Sequence, residues 1–255
     1  MTTIRINKYF TEQGICSRRV ADHKINAGLV QINGRVALLG DQVTDGDVVT
    51  LGSDAVMMGS GVVTRRPPAC YLAYHKPVGV TCTTELHVEG NIIQAVGYPE
   101  RIFPIGRLDK DSSGLILLTN DGDIVNRILR TEFGHEREYR VTLERPYSPT
   151  FLRCIEDGVL VQGEKTQPCR TTQSDAVTFR IMLTEGRNRQ IRRMCSALGY
   201  RVIRLVRVRI MHIRLGHLPV GTWRPLTARE HTHLVAAVGL QNKDIHHRDV
   251  MEVAS

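Results

Sequence analysis

The chain has 255 residues, and its 34 lysines and arginines against 26 aspartates and glutamates give a formal net charge of +8. This length favours one medium domain with a small appended one, and the positive balance suits a polyanionic partner without requiring one. The six cysteines form no CxxC pair. We therefore expect reduced thiols, and neither a zinc cluster nor a disulfide framework.

The N-terminal residues MTTIRINKYF lack the long apolar core of a signal peptide. No segment reaches the roughly 18 apolar residues that indicate a membrane span. We therefore expect a cytoplasmic protein that has no membrane partner.

The first 60 residues are predicted to form a small α/β module. Apolar spacing in RINKYFTEQGICSRRVADHKINAGLVQING predicts two short helices, with Gly14 and Gly28 as breaks. Short strands are expected to follow around turns at Asn33–Gly34 and at Asp45–Gly46.

A second domain is predicted from residue 70 to 240. Residues 51–69 precede it with a linker composition, and the polar residues 241–255 predict a disordered tail. The expected strands are CYLAYHK, GLILLTN, REYRVTLE, VTFRIMLTE and YRVIRLVRVRIMHIRL, and the expected helices are DGDIVNRILR, SPTFLRCIEDG, NRQIRRMCSALG and TAREHTHLVAAV. The domain is therefore predicted to be α+β, with a large and mostly antiparallel sheet.

Arginines dominate the segment from Arg187 to Arg209, which contains no acidic residue. A helix from Asn188 would present Arg189, Arg192 and Arg193 opposite an inward apolar stripe. In RVIRLVRVR the arginines cannot all share one face of a strand, so some are expected to point inward. Because local acidic partners are absent, phosphate contact is favoured over solvated or ion-paired arginines.

The N-terminal module has a second basic cluster, at Lys8, Arg18 and Arg19, beside Ser17 as a possible helix cap. On composition alone, a solvated helix face explains this cluster equally well.

Four aspartates lie in GRLDKDSSGLILLTNDGD, residues 106–123. Asp121 and Asp123 are expected to open a helix, where carboxylates satisfy free N–H groups. Asp111 lies in a turn composition and is expected to form a structural turn. Asp109 precedes a loop that feeds an apolar strand, and local composition favours an ordinary salt-bridged aspartate there.

Several ordered motifs identify a family. The stretches HKPVGV (75–80), GRLDKDSSGLILLTNDGD (106–123), HEREYRV (135–141) and EGRNRQIRRMC (185–195) resemble the signature motifs of RNA pseudouridine synthases of the RsuA-like family. The N-terminal module resembles the S4 RNA-binding domain. Within the family the motifs are most similar to the F branch of the large-subunit rRNA enzymes, although Arg137 replaces a usual lysine.

The resemblance implies a reaction that needs neither metal nor cofactor. The N1–C1′ glycosidic bond of a uridine breaks, the base rotates, and C5 joins C1′. Asp109 would be the essential carboxylate, as nucleophile, as stabiliser of charge at C1′ or as general base. Arg192 would be its basic partner, and Tyr139 would lie against the target base.

The same resemblance implies RNA-binding residues. Arg107 would enter the RNA helix where the uridine is flipped out. Leu183 would pack on the base, although a plain core leucine explains it equally well, and Lys76 is expected to be structural. Further RNA contacts are expected from Asn188, Arg189, Gln190, Lys8, Ser17, Arg18 and Arg19.

The expected partner is RNA, with rRNA favoured and tRNA as an alternative, and the protein is expected to be a monomer. The rival hypothesis is a non-catalytic RNA-binding or ribosome-assembly factor. The joint presence of Asp109, Tyr139 and Arg192 favours the enzyme.

Overall fold

The computed structural model describes residues 3–52, 69–85, 87–129 and 134–239. The chain divides into two compact units, with the boundary between Ala69 and Cys70. Most of the predicted linker and the whole predicted tail, 241–255, lie outside the described residues.

The first unit contains two helices and five short strands. They are β1 (Ile4–Arg5), α1 (Ile6–Glu12), α2 (Arg18–Asn26), β2 (Val30–Ile32), β3 (Arg35–Val36), β4 (Gln42–Val43) and β5 (Val49–Leu51). β2 pairs antiparallel with both β3 and β5, and β1 pairs with β4. Asn33 and Gly34 have φ of 50° and 81°, as a two-residue hairpin turn requires. Phe10, Ala21 and Val30 are fully buried in the core of this unit.

The second unit contains the larger sheet. Its elements are β6 (Tyr71–Lys76), α3 (Ile92–Val96), β7 (Phe103–Ile105), β8 (Ser113–Thr119), α4 (Gly122–Leu129), β9 (Arg137–Leu143), α5 (Pro149–Asp157), β10 (Leu160–Val161), β11 (Glu164–Lys165), β12 (Arg170–Gln173), β13 (Thr178–Leu183), α6 (Gln190–Ala197), β14 (Val202–Ile210), β15 (Ile213–Arg214), β16 (Trp223–Pro225) and α7 (Ala228–Ala237). The four predicted helices and the predicted strands are all present. The five-residue helix α3 was not predicted, because it is too short to show a helical period.

Nine strands form the sheet, in the order β12-β13-β9-β14-β8-β6-β16, with β15 on β14 and β7 on β8. Only β14 and β8 pair in parallel among the described strands. The predicted α+β fold with a mostly antiparallel sheet is therefore confirmed.

The core of this sheet explains which side chains face the site. Val141 and Leu143 of β9 are buried in one cluster with Ile181 of β13 and Met194 of α6. Since side chains alternate along a strand, Tyr139 points to the same face as Val141 and packs against the same cluster. Helix α6 therefore covers the sheet face that carries Tyr139.

Helix ends follow the expected capping chemistry. Ser17 accepts a hydrogen bond from the backbone N–H of Val20, and Thr227 forms a capping box with Glu230. Asp121 accepts from the backbone N–H of Asp123 at 3.1 Å, at the start of α4 as predicted. No helix among the described residues is long and apolar enough to span a membrane.

We predict that Gly114→Ala destabilises the protein more than Gly163→Ala does. Both glycines have positive φ, but a Cβ on Gly114 would lie 2.3 Å from the carbonyl oxygen of Arg207, whereas one on Gly163 meets nothing within 4 Å. We expect Gly114→Ala to lower the free energy of unfolding by about 3–5 kcal/mol and Gly163→Ala by about 1–2 kcal/mol. Urea unfolding checks this, and equal losses would contradict the steric argument.

Candidate active site

Asp109 lies in the loop between β7 and β8. Its side chain is 30% exposed, and its Oδ2 lies 3.9 Å from Nη1 of Arg189. The loop itself is well anchored, because the carbonyl of Asp109 accepts from the N–H of Ser112 at 3.0 Å and that of Lys110 accepts from Gly79 at 2.7 Å. Asp109 is therefore a partly exposed carboxylate on a fixed backbone.

Asp111 is the ion-paired aspartate of this loop. Arg189 donates to both of its carboxylate oxygens, at 3.0 and 2.8 Å, and Nε of Arg192 lies 3.4 Å from Oδ2. The hydrogen bonds from Arg189 lower the pKa of Asp111 below its ordinary 3.8, and the charges of Arg192 and Arg189 act in the same direction. Asp111 lies in a turn, as expected, and the turn also sets its carboxylate opposite two arginines, Arg189 before α6 and Arg192 within it.

Arg192 contacts Asp111 and not the expected partner. Its Nη2 donates to the carbonyl of Asp111 at 2.9 Å, and its Nη1 donates to that of Val202 at 2.9 Å. The nearest ion pair of Asp109 is made by Arg189 instead. The physical reason is the position of Asp111, which lies closer to α6 than Asp109 does and already occupies Arg192. The assignment of Arg192 as a direct partner of Asp109 stays a prediction.

The N-terminus of α6 differs from the expected cationic face. The helix begins at Gln190, and Arg189 precedes it in a left-handed conformation with φ of 53°. Arg189 therefore leaves the helix surface and reaches the Asp109 loop, while Nη2 of Arg193 donates to Oδ1 of Asn188 at 2.8 Å. Gln190 is buried and donates to Glu185 at 2.6 Å. Through these contacts Asn188 and Gln190 stabilise the turn that precedes α6.

Tyr139 and Leu183 belong to neighbouring strands. Tyr139 of β9 is opposite Ile181 of β13, and Leu183 is opposite Arg137. Leu183 is 4% exposed and lies in the core cluster, which fits the plain core leucine better than a base-contacting one. Tyr139 is half-buried. Of these two side chains, Tyr139 is therefore the more accessible.

Lys76 is fully buried at the end of β6. Its ammonium donates to the carbonyls of Pro77 and Val80, both at 2.8 Å. Burial lowers the pKa of Lys76, and the charges of Asp109 and Asp111 act in the opposite direction. These contacts agree with the structural role expected for Lys76.

Most arginines of the basic run are ion-paired, although the local sequence contains no acidic partners; their contact with phosphate stays a prediction. Arg201 pairs with Glu144 at 2.8 Å, and Arg209 pairs with Glu138 at 2.8 Å and with Glu136 at 3.1 Å. The acidic partners lie on β9 and its ends, about 60 to 70 positions earlier, and only strand pairing brings them close. The local sequence lacks acidic residues, but the fold brings acidic partners to these arginines from another strand.

A few exposed cations make no ion pair within the described part of the chain. Arg107 and Lys110 flank Asp109, and Arg204 lies on β14. Beside the loop, Arg189, Arg192, Arg201 and Tyr200 line a groove of about 570 Å³ that also includes Glu144. The loop and the groove together form a cationic surface with Asp109 at its edge.

The basic cluster of the N-terminal unit also contains both ion-paired and unpaired side chains. Lys8 pairs with Glu12 at 3.4 Å, and Ser17 caps α2. Arg18 and Arg19 are exposed in the first turn of α2 and make no ion pair among the described residues. Of this cluster, Arg18 and Arg19 have the charges most open to an anionic partner.

Metal ligands are not clustered in the described part of the chain, where no group of three or more His, Cys, Asp or Glu side chains could hold an ion. Two residues near Asp109 were missed from sequence. Asp111 was classified from its turn composition, and Arg207, which is buried beneath the loop, was counted only as one of the basic run. The motif position of Asp111, two residues from Asp109, was the available signal.

Comparison with known proteins identifies the class. Residues 70–197 match the family of RNA pseudouridylate synthases, and residues 4–49 match the S4 domain. A crystal structure of a pseudouridylate synthase superposes with a TM-score of 0.65 and 30% identity, covering 91% of this chain and 100% of that one. The chain therefore belongs to the RNA pseudouridine synthases, isomerases of uridine in RNA, and it carries an S4 domain.

The relatives belong to more than one branch. The chain is 48% identical to the dual-specificity RNA pseudouridine synthase RluF of Salmonella typhi, over 90% of this chain and 78% of that protein. It is 33% identical to the ribosomal large subunit pseudouridine synthase B of Bacillus subtilis, over 89% of this chain and 93% of that protein. It is 32% identical to the ribosomal small subunit pseudouridine synthase A of Haemophilus influenzae, over 91% of this chain and 100% of that protein. The predicted family and the similarity to the F branch are confirmed.

We predict that the Asp111 carboxyl titrates below pH 3.8 in the folded protein. Because the folded-state pKa is lowered, the stabilisation by this pair is present above the unfolded-state value of 3.8 and is lost as the pH falls through the lower folded-state value. A ¹³C NMR titration of the side chain measures the midpoint. In Arg189→Gln the midpoint should move back toward 3.8, and an unchanged midpoint would contradict the pairing.

Proposed function

We propose that the chain converts a specific uridine to pseudouridine in ribosomal RNA, with 23S rRNA as the main substrate. The similarity to a ribosomal large subunit pseudouridine synthase, at 33% identity over 89% of this chain, supports this target. The higher identity, 48%, is to a dual-specificity enzyme. The words "dual-specificity" in that relative's name support a second RNA substrate, for which tRNA is the candidate. Mapping pseudouridines in rRNA and tRNA from cells with and without the gene tests both targets.

Asp109 is the carboxylate that we propose for the chemistry. The reaction breaks the N1–C1′ bond and forms a C5–C1′ bond, while C5 loses a proton and N1 gains one, so no external oxidant or reductant is needed. A carboxylate suits each of the three available steps: attack on C1′, stabilisation of positive charge there, or removal of a proton. The partial exposure of Asp109 on a fixed loop supports this use, since a substrate can reach a carboxylate that the backbone holds in place.

The neighbouring residues have distinct proposed tasks. Arg189 holds Asp111 and places a positive charge 3.9 Å from the carboxylate of Asp109. Tyr139 offers a half-buried aromatic face against which a flipped base can stack. Arg192 fixes the carbonyl of Asp111 and thereby the end of the loop.

We also propose that the protein acts as a monomer in the cytoplasm. The named relatives that modify ribosomal RNA support the compartment, because ribosomal RNA of bacteria is made and modified there. Light scattering of the purified protein, alone and with RNA, tests the monomer.

We predict that Asp109→Asn abolishes pseudouridine formation while leaving RNA binding intact. The amide keeps the size of the side chain but has no negative charge, so all three proposed steps should fail. We expect the rate to fall at least about 10³-fold and the Kd for RNA to stay within about threefold. Release of tritium from C5-labelled uridine measures the rate, and a filter-binding assay measures the Kd.

The control for this variant is Asp157→Asn, which changes an exposed carboxylate at the C-terminal end of α5. It should retain full activity. An active Asp109→Asn protein would refute the catalytic assignment.

We predict that Arg107→Ala impairs the reaction more on a base-paired stem than on a single strand with the same uridine. Arg107 is exposed, two residues from Asp109, and an arginine that fills the space of the flipped uridine would offset part of the unstacking cost of a few kcal/mol. We expect kcat/KM to fall about tenfold on the stem and less than about threefold on the single strand.

Arg214→Ala is the matched control, because Arg214 is an exposed arginine on β15 that makes no ion pair among the described residues. Equal losses on the two substrates would show that Arg107 contributes only general charge.

A further inference from the structure

Arg207 binds both ends of the segment that contains Asp109. It lies in β14 and is only 3% exposed. Its Nε donates to the carbonyl of Leu115 at 2.7 Å, and its Nη1 donates to the carbonyl of Arg107 at 3.3 Å. Arg107 precedes Asp109 in the loop, and Leu115 follows it in β8. One guanidinium therefore bridges the two sides of the Asp109 segment.

Gly114 makes this bridge sterically possible. Strands β8 and β14 pair in parallel, with Gly114 opposite Arg207. A Cβ at Gly114 would lie 2.3 Å from the carbonyl oxygen and 2.5 Å from the backbone nitrogen of Arg207. The absence of a side chain at Gly114 thus lets the two backbones approach closely. The side chain of Arg207 therefore begins next to β8, which contains the Leu115 carbonyl that accepts its hydrogen bond.

Stability alone does not explain an arginine at this position. Arg207 makes no ion pair with any described carboxylate, and its Nη2 is buried without a hydrogen-bond partner. A buried cation without a carboxylate partner is costly, and apolar residues of similar volume commonly replace buried charges without loss of stability. The neighbouring Arg209 differs, because it is paired with Glu136 and Glu138.

A second buried cation lies close by. Lys76 is 0% exposed, and its described hydrogen bonds go to two backbone carbonyls and to no carboxylate. The charge of Arg207 acts on Lys76, and so do the charges of Asp109 and Asp111. Two buried cations therefore share one region with the two aspartates of the loop, where a low effective dielectric strengthens their attraction for carboxylates.

We propose that Arg207 is a positioning residue for Asp109, acting through the backbone of the loop. Its guanidinium holds the Arg107 carbonyl, just as Gly79 holds that of Lys110 and Arg192 that of Asp111. Asp109 is thereby held at a fixed distance from the bound uridine, and small displacements of a catalytic group are costly to rate. This inference rests on the proposed function of Asp109.

The test compares Arg207→Lys and Arg207→Met with the same two substitutions at Arg209, two residues along β14. A lysine at position 207 keeps the charge but has a single nitrogen, which cannot bind both carbonyls in the same geometry. We expect Arg207→Lys to lower kcat about 10- to 100-fold with KM changed less than about threefold. The Arg207→Met loss should be at least as large, whereas both Arg209 variants should keep kcat within about twofold of the wild type.

Hydrogen exchange supplies a readout that does not depend on turnover. Arg207→Lys should speed exchange of the amides of residues 107–112 and leave those of β9 and β13 unchanged. If Arg207→Met does not fold, Arg207→Lys, which keeps the charge and fits the same space, decides the question. Unchanged kcat and unchanged loop exchange in folded Arg207→Lys would overturn the proposal, and so would an equal loss of kcat in Arg209→Lys.

The two proposals fail in different ways. An active Asp109→Asn protein would refute the catalytic assignment, and with it the catalytic consequence of loop positioning. An inactive Asp109→Asn protein together with a fully active Arg207→Lys protein would leave the function standing and refute only the task of Arg207.

Discussion

The contact between the Asp109 loop and the start of α6 is the interaction on which the site depends. Arg189 binds both carboxylate oxygens of Asp111, and Arg192 binds its carbonyl. These residues are separated by about 80 positions in the chain, so the contact exists only when β8, β14 and α6 are assembled. The left-handed conformation of Arg189 turns its side chain away from the helix and toward the loop. A single strained backbone position thus links the helix to the acidic loop.

The basic side chains of the second unit fall into three groups that differ in burial and in the groups they contact. Exposed arginines such as Arg107 and Arg204 remain unpaired among the described residues and stay available to an anionic chain. Strand arginines such as Arg209 pair with glutamates. Burial raises the pKa of Glu138, but the hydrogen bonds and charges of Arg209 and Arg180 together lower it below its ordinary value. Lys76 and Arg207 are buried and bind carbonyls instead. Net charge therefore overstates the surface that RNA can use.

Much of the fold followed from local signals. Short runs rich in apolar and β-branched residues predicted β6, β8, β9 and β13, and β6 and β8 are buried along nearly their whole length. A capping residue predicted the start of α4, where Asp121 accepts from a free backbone N–H group. The helix α3 escaped prediction because it spans barely more than one turn, and the ion pairs of β14 escaped because their partners lie on another strand.

The sequence by itself determined the two-unit composition, the class of fold and the family, since motif identity and hydrophobic period are local properties. It also singled out Asp109, through its motif. Only the tertiary structure decided that Arg192 holds Asp111, that most of the basic run is ion-paired, and that Arg207 lies beneath the loop. These facts depend on side chains about 60 to 100 residues apart, and contact at that separation is a consequence of strand order and register.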